Sequence, residues 1–584
     1  MTAAAPPTRM PLPEWVRSEL HRRSGRAILV RLVLTIIVAV LVVFPVAQLV
    51  IGSFREGGPI RGGPFTLENY RQALSDAASG ELLFNTLGFA IGQTIVPLII
   101  GVVLAWVVTR TDVPWRSFWE YATISLYLIP LLAAATAWSI LLANRTGIIN
   151  VLIRKYTPFD GFDVFSLGGM IFVQSLYLVP LVFLVVSASF RSVNPEMEDA
   201  SRVFGASPFR TFLRVTLGVS RPSVMSAAVL CFIIGIGSME VPLLFGFSSR
   251  VDVYTTDIYR ALRVRFPPDY GRAAAIGVLL LMISLVVLWA YLRNIRHTQR
   301  YVTVGGRGAR IAPIRLGLWR WVVFAGCAFF FTLTLVLPFA AVALGSLLPF
   351  IGRPSRALYS RASFDNYESL ADNAVIWRAV KNSLTLAVGA GIVVMILGAF
   401  IAYIVVRNPS RWSRGLDYSA ALPLTIPAVV LATALLFTYI SLELPGGFRV
   451  FSTLWILGMG YVVYFLPIAV RQMTGPVIQL SSELEHASRI FGATQRATMV
   501  RIVLPLLVPA LVGGGVLAFV TFLREFTTSV LLFDVGTEVV STVMYSYYAN
   551  GRMPYVAVMA VAMWGVVVVA MFIAQKLFKT KITF

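Results

Sequence analysis

Apolar runs of about 20 residues, long enough to cross a hydrocarbon core as a helix, recur along the whole chain with short polar segments between them. They predict spans near 27–52, 82–108, 119–143, 169–190, 222–247 and 270–292. A second set follows near 319–348, 380–405, 417–440, 453–474, 508–533 and 553–576. The pattern predicts an all-α polytopic membrane protein of about twelve spans in two sets of six. Composition agrees. Of 584 residues, 58% are hydrophobic and 13% charged, with mean hydropathy +0.79. That excludes an ordinary soluble domain and a disordered chain.

The formal net charge of +22 would suit a nucleic-acid binder, but basic residues also mark the cytoplasmic ends of spans. Placing the N-terminus inside gives the cytoplasmic segments a large excess of Lys and Arg and leaves the outer segments nearly balanced. Membrane topology therefore explains the charge, and no nucleic-acid partner is expected. Residues 1–26 read as a basic cytoplasmic tail and the first apolar run as an uncleaved span. The C-terminus also falls inside. Residues 293–318, with Arg293, Arg296, Arg300, Arg307, Arg310 and Arg315, read as a flexible cytoplasmic linker; anionic lipid headgroups are its alternative partner. Its Gly cluster is no phosphate loop, because no Gly-Lys-Ser/Thr follows. The two cysteines, Cys231 and Cys327, lie in apolar runs and read as buried small hydrophobes.

The two sets of spans repeat one another. Arg110 matches Arg407 and Pro130 matches Pro427 at an offset of 297, as do Asn69-Tyr70 and Asn366-Tyr367. Pro180 matches Pro467 at 287, which places an extra segment in the outer loop near 144–168. Six spans per half put both halves in the membrane the same way round. The domains expected are 27–292 and 319–584. One polar stretch stands out in each half, Glu196–Ser220 and Glu483–Leu507. Each holds an acidic residue, an Ala-Ser pair and a Gly four residues after the Ser, and reads as a short helix, a glycine turn and a second helix. Lying between spans, each would form a docking surface outside the lipid.

These two stretches resemble the EAA loop of ABC importer permeases, the inner-membrane components of binding-protein-dependent systems. The second copy gives His486-Ala487-Ser488, Gly492 and Ile502-Val503-Leu504-Pro505. The first gives Asp199-Ala200-Ser201, Gly205 and Val215-Thr216-Leu217-Gly218. His486 departs from the pattern's first acid, Ser201 and Ser488 from its second Ala, and Gly218 from its Pro. Glu198 and Glu485, one residue earlier, are candidates for the acidic function. The resemblance implies that these loops are coupling helices seated on an ATPase, with Arg202 and Arg489 available to acids on that partner. It also implies two ATPase subunits on the cytoplasmic side, carrying ATP and Mg, and a periplasmic or lipid-anchored substrate-binding protein docking on outer loops such as 144–168 and 349–376. The chain itself would bind no cofactor, carry no catalytic residue and reside in a bacterial inner membrane.

The fused two-copy build resembles ferric-iron transport permeases, and also thiamine permeases. Leu523-Arg524-Glu525-Phe526 and the Thr527–Leu532 run look like the fifth span of the iron type, and Met239-Glu240-Val241-Pro242 occupies the corresponding place in the first half. Glu240 and Glu525 are the acids placed well inside a span, where a charge costs on the order of 3 kcal/mol on insertion scales and normally faces a partner or a cavity. They read either as pseudo-symmetric pathway residues favouring a cation or as helix-to-helix bonds, with Arg524 or a backbone group as partner. His21, His297 and His486 fall in cytoplasmic segments, so no metal site is expected in the pathway. A ferric substrate would have to meet oxygen ligands. Thiamine, polyamines and phosphonates are the alternative substrates. A secondary transporter with two six-span repeats, or a channel or scaffold, are the alternative classes.

Overall fold

In the computed structural model, residues 32–75, 79–295 and 313–578 are described. The tail 1–26 and most of the linker fall outside them. Among the described residues, nine helices are long and apolar enough to cross a membrane, and three bent helix pairs raise the number to twelve. The sequence pattern locates all twelve. It does not show that three of them are broken. A two-stranded hairpin, Glu443–Leu444 with Phe448–Arg449, is the one departure from helix among the paired strands described.

The third span of each half is a pair of helices. Arg116–Leu128 and Leu131–Leu142 meet at 97°, and Arg411–Thr425 and Ala428–Tyr439 at 110°. The matched prolines cause the breaks. Pro130 and Pro427 force the preceding Ile129 and Ile426 out of helical geometry, to ψ 130° and 125°. The polar stretches differ in how they join the fifth span. Gln495–Leu523 is one helix, whereas Pro208–Val219 and Arg221–Ile236 are bent by 73°, at the step into Arg221-Pro222.

The repeat seen in sequence is a repeat of contacts. Asn69 Nδ2 donates to the Ser53 and Arg55 carbonyls, and Asn366 Nδ2 to those of Ser346 and Leu348. Tyr70 pairs with Ser53 at 2.7 Å and Tyr367 with Ser346 at 2.8 Å. The second span of each half, Ser79–Arg110 and Ala374–Arg407, leaves an exposed apolar stripe at every fourth residue. Ile91, Ile95, Ile99 and Val103 form one stripe, and Val388, Ile392, Ile396 and Phe400 the other. The stripes match residue for residue at the offset of 297, as lipid-facing surfaces of two equivalent units should.

The halves wrap around each other. The first span of one half (Leu32–Ser53) packs on the third span of the other (Ala428–Tyr439), and Trp319–Leu347 packs on Leu131–Leu142 in return. Tyr439 donates to the Val40 carbonyl and Tyr177 to that of Thr334 across the same boundary. The described end of the linker is tied down rather than free. Ile314, 3% exposed, exchanges backbone hydrogen bonds with Arg110 and Asp112 at 2.8 and 3.1 Å, and Leu316 N–H donates to the Asp112 carboxylate. Cys231 and Cys327 are buried free thiols in one apolar cluster.

Candidate functional site

The two repeated polar stretches fold alike. Pro195–Val203 is capped by Asn194 and Ser482–Ile490 by Ser481. Each helix ends at its glycine, Gly205 at φ +79° and Gly492 at φ +80°. An added Cβ would meet no neighbour at either glycine; the left-handed backbone is what requires glycine there. A second short helix then folds back, held by Ser201 to Thr211 at 3.1 Å and Ser488 to Thr498 at 2.9 Å. This gives the two Ser residues that depart from the family pattern a physical role.

Glu198 and Glu485 do not face outward. Glu198 is buried against Arg110 at 3.3 Å and accepts from Thr216 Oγ1 at 2.5 Å. Arg110 also donates to the Phe190 and Val193 carbonyls, which end the fourth span. Glu485 pairs with Arg407 at 2.9 Å and accepts from Tyr403 at 2.7 Å. The acids therefore fasten each loop to the second span of its own half, and Arg110 and Arg407 are functional candidates that sequence reasoning missed as their partners. Arg202 and Arg489 are likewise paired within the chain, to Asp199 at 2.6 Å and to Glu485 at 3.7 Å.

What these loops expose is Asp199, Ala200, His486 and Ala487, together with an apolar pair at each tip. Val203 is 84% and Phe204 90% exposed; Ile490 is 83% and Phe491 89% exposed. The signal for these pairs was present in the sequence as two apolar residues directly before each glycine in a polar stretch.

The second candidate region lies at the ends of the fifth spans. These helices stop at Ile236 and Leu523, 287 residues apart, the same spacing as the two glycines. A gap of three residues follows, and a new short helix starts at Glu240 in one half and at Thr527 in the other. Glu240 therefore corresponds to Thr527, and Glu525 to Ser238. The expected pseudo-symmetric placement of the two acids is corrected: they are offset by two residues and sit differently.

Glu525 is buried at the mouth of its short helix, accepting from the N–H groups of Thr528 at 2.9 Å and Ser529 at 3.2 Å. That is a helix-capping role, and its partners are these backbone groups and the Ser529 hydroxyl at 3.2 Å. Arg524 is not its partner. Arg524 donates to the Tyr127 and Ile129 carbonyls and stands 4.9 Å over the Tyr127 ring, closing the broken third span of the other half. Gly237, its equivalent, abuts Pro427 at the other break so closely that a Cβ would approach Pro427 to 2.8 Å. Glu240 is only half-buried. Its carboxylate accepts from Ser238 Oγ at 3.2 Å and, across the halves, from Thr527 Oγ1 at 3.4 Å. Ser238 also donates to Gln174. Of the two acids singled out from sequence, Glu240 alone is half-exposed on the boundary between halves. No group of three or more His, Cys, Asp or Glu side chains among the described residues is placed to hold a metal ion.

The profile of the family described as binding-protein-dependent transport system inner membrane component matches residues 394–583. A probable ABC transporter permease of Sinorhizobium fredii is 26% identical over 78% of this chain and 80% of its own. A ferric transport system permease of Actinobacillus pleuropneumoniae is 23% identical over 92% of this chain and 76% of its own. A putrescine transport system permease of Escherichia coli is 27% identical over 35% of this chain and 74% of its own. With up to twelve candidate spans and two equivalent helix-glycine-helix loops, the chain is similar over most of its length to ABC importer permeases, ferric transport permeases among them, and its residues 394–583 carry the profile of the binding-protein-dependent inner-membrane component.

Proposed function

We propose that this chain moves ferric iron or a ferric chelate across the membrane by alternating access. ATP would be hydrolysed, with Mg, on two separate ATPase subunits seated on the loops at Gly205 and Gly492, on the cytoplasmic side with both termini. A substrate-binding protein would deliver the cargo to the opposite face, on loops such as 144–168 and 349–376. The observation that carries the coupling part is the pair of equivalent apolar tips, Val203-Phe204 and Ile490-Phe491, exposed on helices whose other faces are pinned by Arg110 and Arg407. A tip so anchored transmits displacement to the spans rather than moving alone.

The similarity to a ferric transport permease over nine-tenths of the chain supports iron, and Glu240 supports a cation. Its carboxylate, with the Thr527 and Ser238 hydroxyls, supplies the oxygen donors that a hard cation prefers. The similarity to a putrescine permease gives the second reading, since one carboxylate serves a polyamine as well.

The test is ATP-dependent uptake of labelled ferric iron into vesicles carrying this chain, its ATPase and its binding protein, with unlabelled putrescine as competitor. Glu240→Gln should lower iron uptake by roughly tenfold or more, through loss of the charge facing the cargo. Glu525→Gln keeps an oxygen for the Thr528 and Ser529 N–H groups and should lower it far less. Equal loss in both variants would remove the special place of Glu240. ATP hydrolysis without iron movement would discard iron and keep the importer.

A further inference from the structure

A residue that touches its own equivalent in the other half lies on the pseudo-two-fold axis. Two such contacts are found among the described residues. Glu240 and Thr527 are one, at 3.4 Å. Tyr259 and Tyr545 are the other. The segments that hold these tyrosines lie between the fifth and sixth spans, on the side opposite the helix-glycine-helix loops. There Tyr254 N–H donates to Thr86 Oγ1 and Val540 N–H to Ser383 Oγ, each at 2.9 Å. These matched bonds set a local offset of 286, which makes Tyr259 and Tyr545 equivalents. Their rings meet edge to face, centroids 6.0 Å apart.

The two contacts are continuous with each other. The Tyr545 ring packs at 5.4 Å on Phe526, the residue beside Thr527. The tyrosine pair is therefore joined to the Glu240 region through Phe526 and Thr527. Reciprocal ties hold it closed. Arg263, from the Tyr259 segment, donates to the Leu531 and Phe533 carbonyls at 2.7 and 2.6 Å, and its guanidinium lies 5.1 Å over the Phe533 ring. Tyr548, from the Tyr545 segment, donates to the Leu244 carbonyl at 3.1 Å. Leu244 and Leu531 are themselves equivalents at the offset of 287. Each short helix beyond a fifth-span break is thus tied to the other half.

We propose that cargo crosses between Tyr259 and Tyr545, and that this pair, held by Arg263 and Tyr548, closes the path on the side away from the ATPase-facing loops. The proposal rests on the importer reading and names the residues that line its path. A ligand on a two-fold path must part the pair that meets on the axis, so joining the two side chains blocks passage while leaving the rest of the fold in place.

The experiment joins them. In vesicles carrying the ATPase and the binding protein, Tyr259→Cys with Tyr545→Cys is made in a chain whose Cys231 and Cys327 are serine. The pair is bridged with a short bis-methanethiosulfonate reagent, each cysteine thiolate displacing methanesulfinate to form a reducible disulfide, and the bridged peptides are identified by mass spectrometry. Uptake of labelled ferric iron and hydrolysis stimulated by the binding protein should both fall roughly tenfold or more, and reduction should restore both. Bridging that leaves both rates unchanged overturns the proposal, as does failure of the two cysteines to bridge. If the cysteine chain is inactive before bridging, Tyr259→Ala with Tyr545→Ala serves instead. Removing both rings should raise hydrolysis in the absence of binding protein, and hydrolysis that still depends fully on binding protein would overturn the proposal. An unmodified chain with hydrolysis but no iron uptake removes the substrate and still tests the pair through hydrolysis. An unmodified chain with neither removes the importer reading itself.

Discussion

Arg110→Ala should destabilise the first half by about 3–5 kcal/mol, the range for breaking a buried ion pair by removing one partner. Arg110 and Glu198 are only 1% and 4% exposed at their side chains. Removing the guanidinium leaves a buried carboxylate whose other side-chain partner is Thr216, and it strips donors from the Phe190 and Val193 carbonyls that end the fourth span. The lesion falls where the linker also docks, since the Arg110 carbonyl accepts from Ile314. Hydrogen exchange over 195–216, together with thermal unfolding in detergent, reads the effect. Arg407→Ala should cost less, because Arg407 is 17% exposed and Glu485 keeps Tyr403 and Arg489. Equal effects would show that the difference in burial carries no weight, and protection of 195–216 unchanged in Arg110→Ala would show that the pair does not fasten the loop.

Much of this architecture is legible in the sequence because lipid imposes a simple rule: every span must be a long apolar helix. The twelve runs follow from it, and so does the repeat, whose matched residues turn out to make matched contacts. What is not legible has physical reasons. The runs at 119–143 and 417–440 look continuous because hydropathy does not register direction; Pro130 and Pro427 were the signal, and they turn the chain by about a right angle. The fifth-span acids were aligned by residue type, whereas helix ends align by position, and the two disagree by two residues. Arg110 and Glu198 are separated by 88 residues, and two charges at such a distance carry no sign of contact, although both recur in the second half. The ordered end of the linker rests on backbone hydrogen bonds, which composition does not encode.

Phe204→Ala combined with Phe491→Ala should leave the permease folded and abolish its complex with the ATPase. Both rings are about nine-tenths exposed, so truncating them should change stability by no more than about 0.5 kcal/mol. A buried aromatic anchor at an interface typically contributes about 2 kcal/mol or more, so two of them together correspond to a loss on the order of 1,000-fold in association. Co-purification with the ATPase and its affinity in detergent measure this, with unchanged thermal unfolding as the control. The single variants should differ in coupling. Phe491 sits at the head of an elbow that continues as one helix, Gln495–Leu523, to the residues around Glu525. Phe204 sits before a helix bent by 73° on its way to Glu240. A continuous helix transmits an axial push, and a bent one dissipates part of it as hinge motion. Hydrolysis stimulated by the binding protein should therefore drop more in Phe491→Ala than in Phe204→Ala. If both singles lose coupling equally while binding the ATPase alike, the bend at Arg221-Pro222 has no mechanical consequence. If the double variant still co-purifies normally, the exposed tips are not where the ATPase sits.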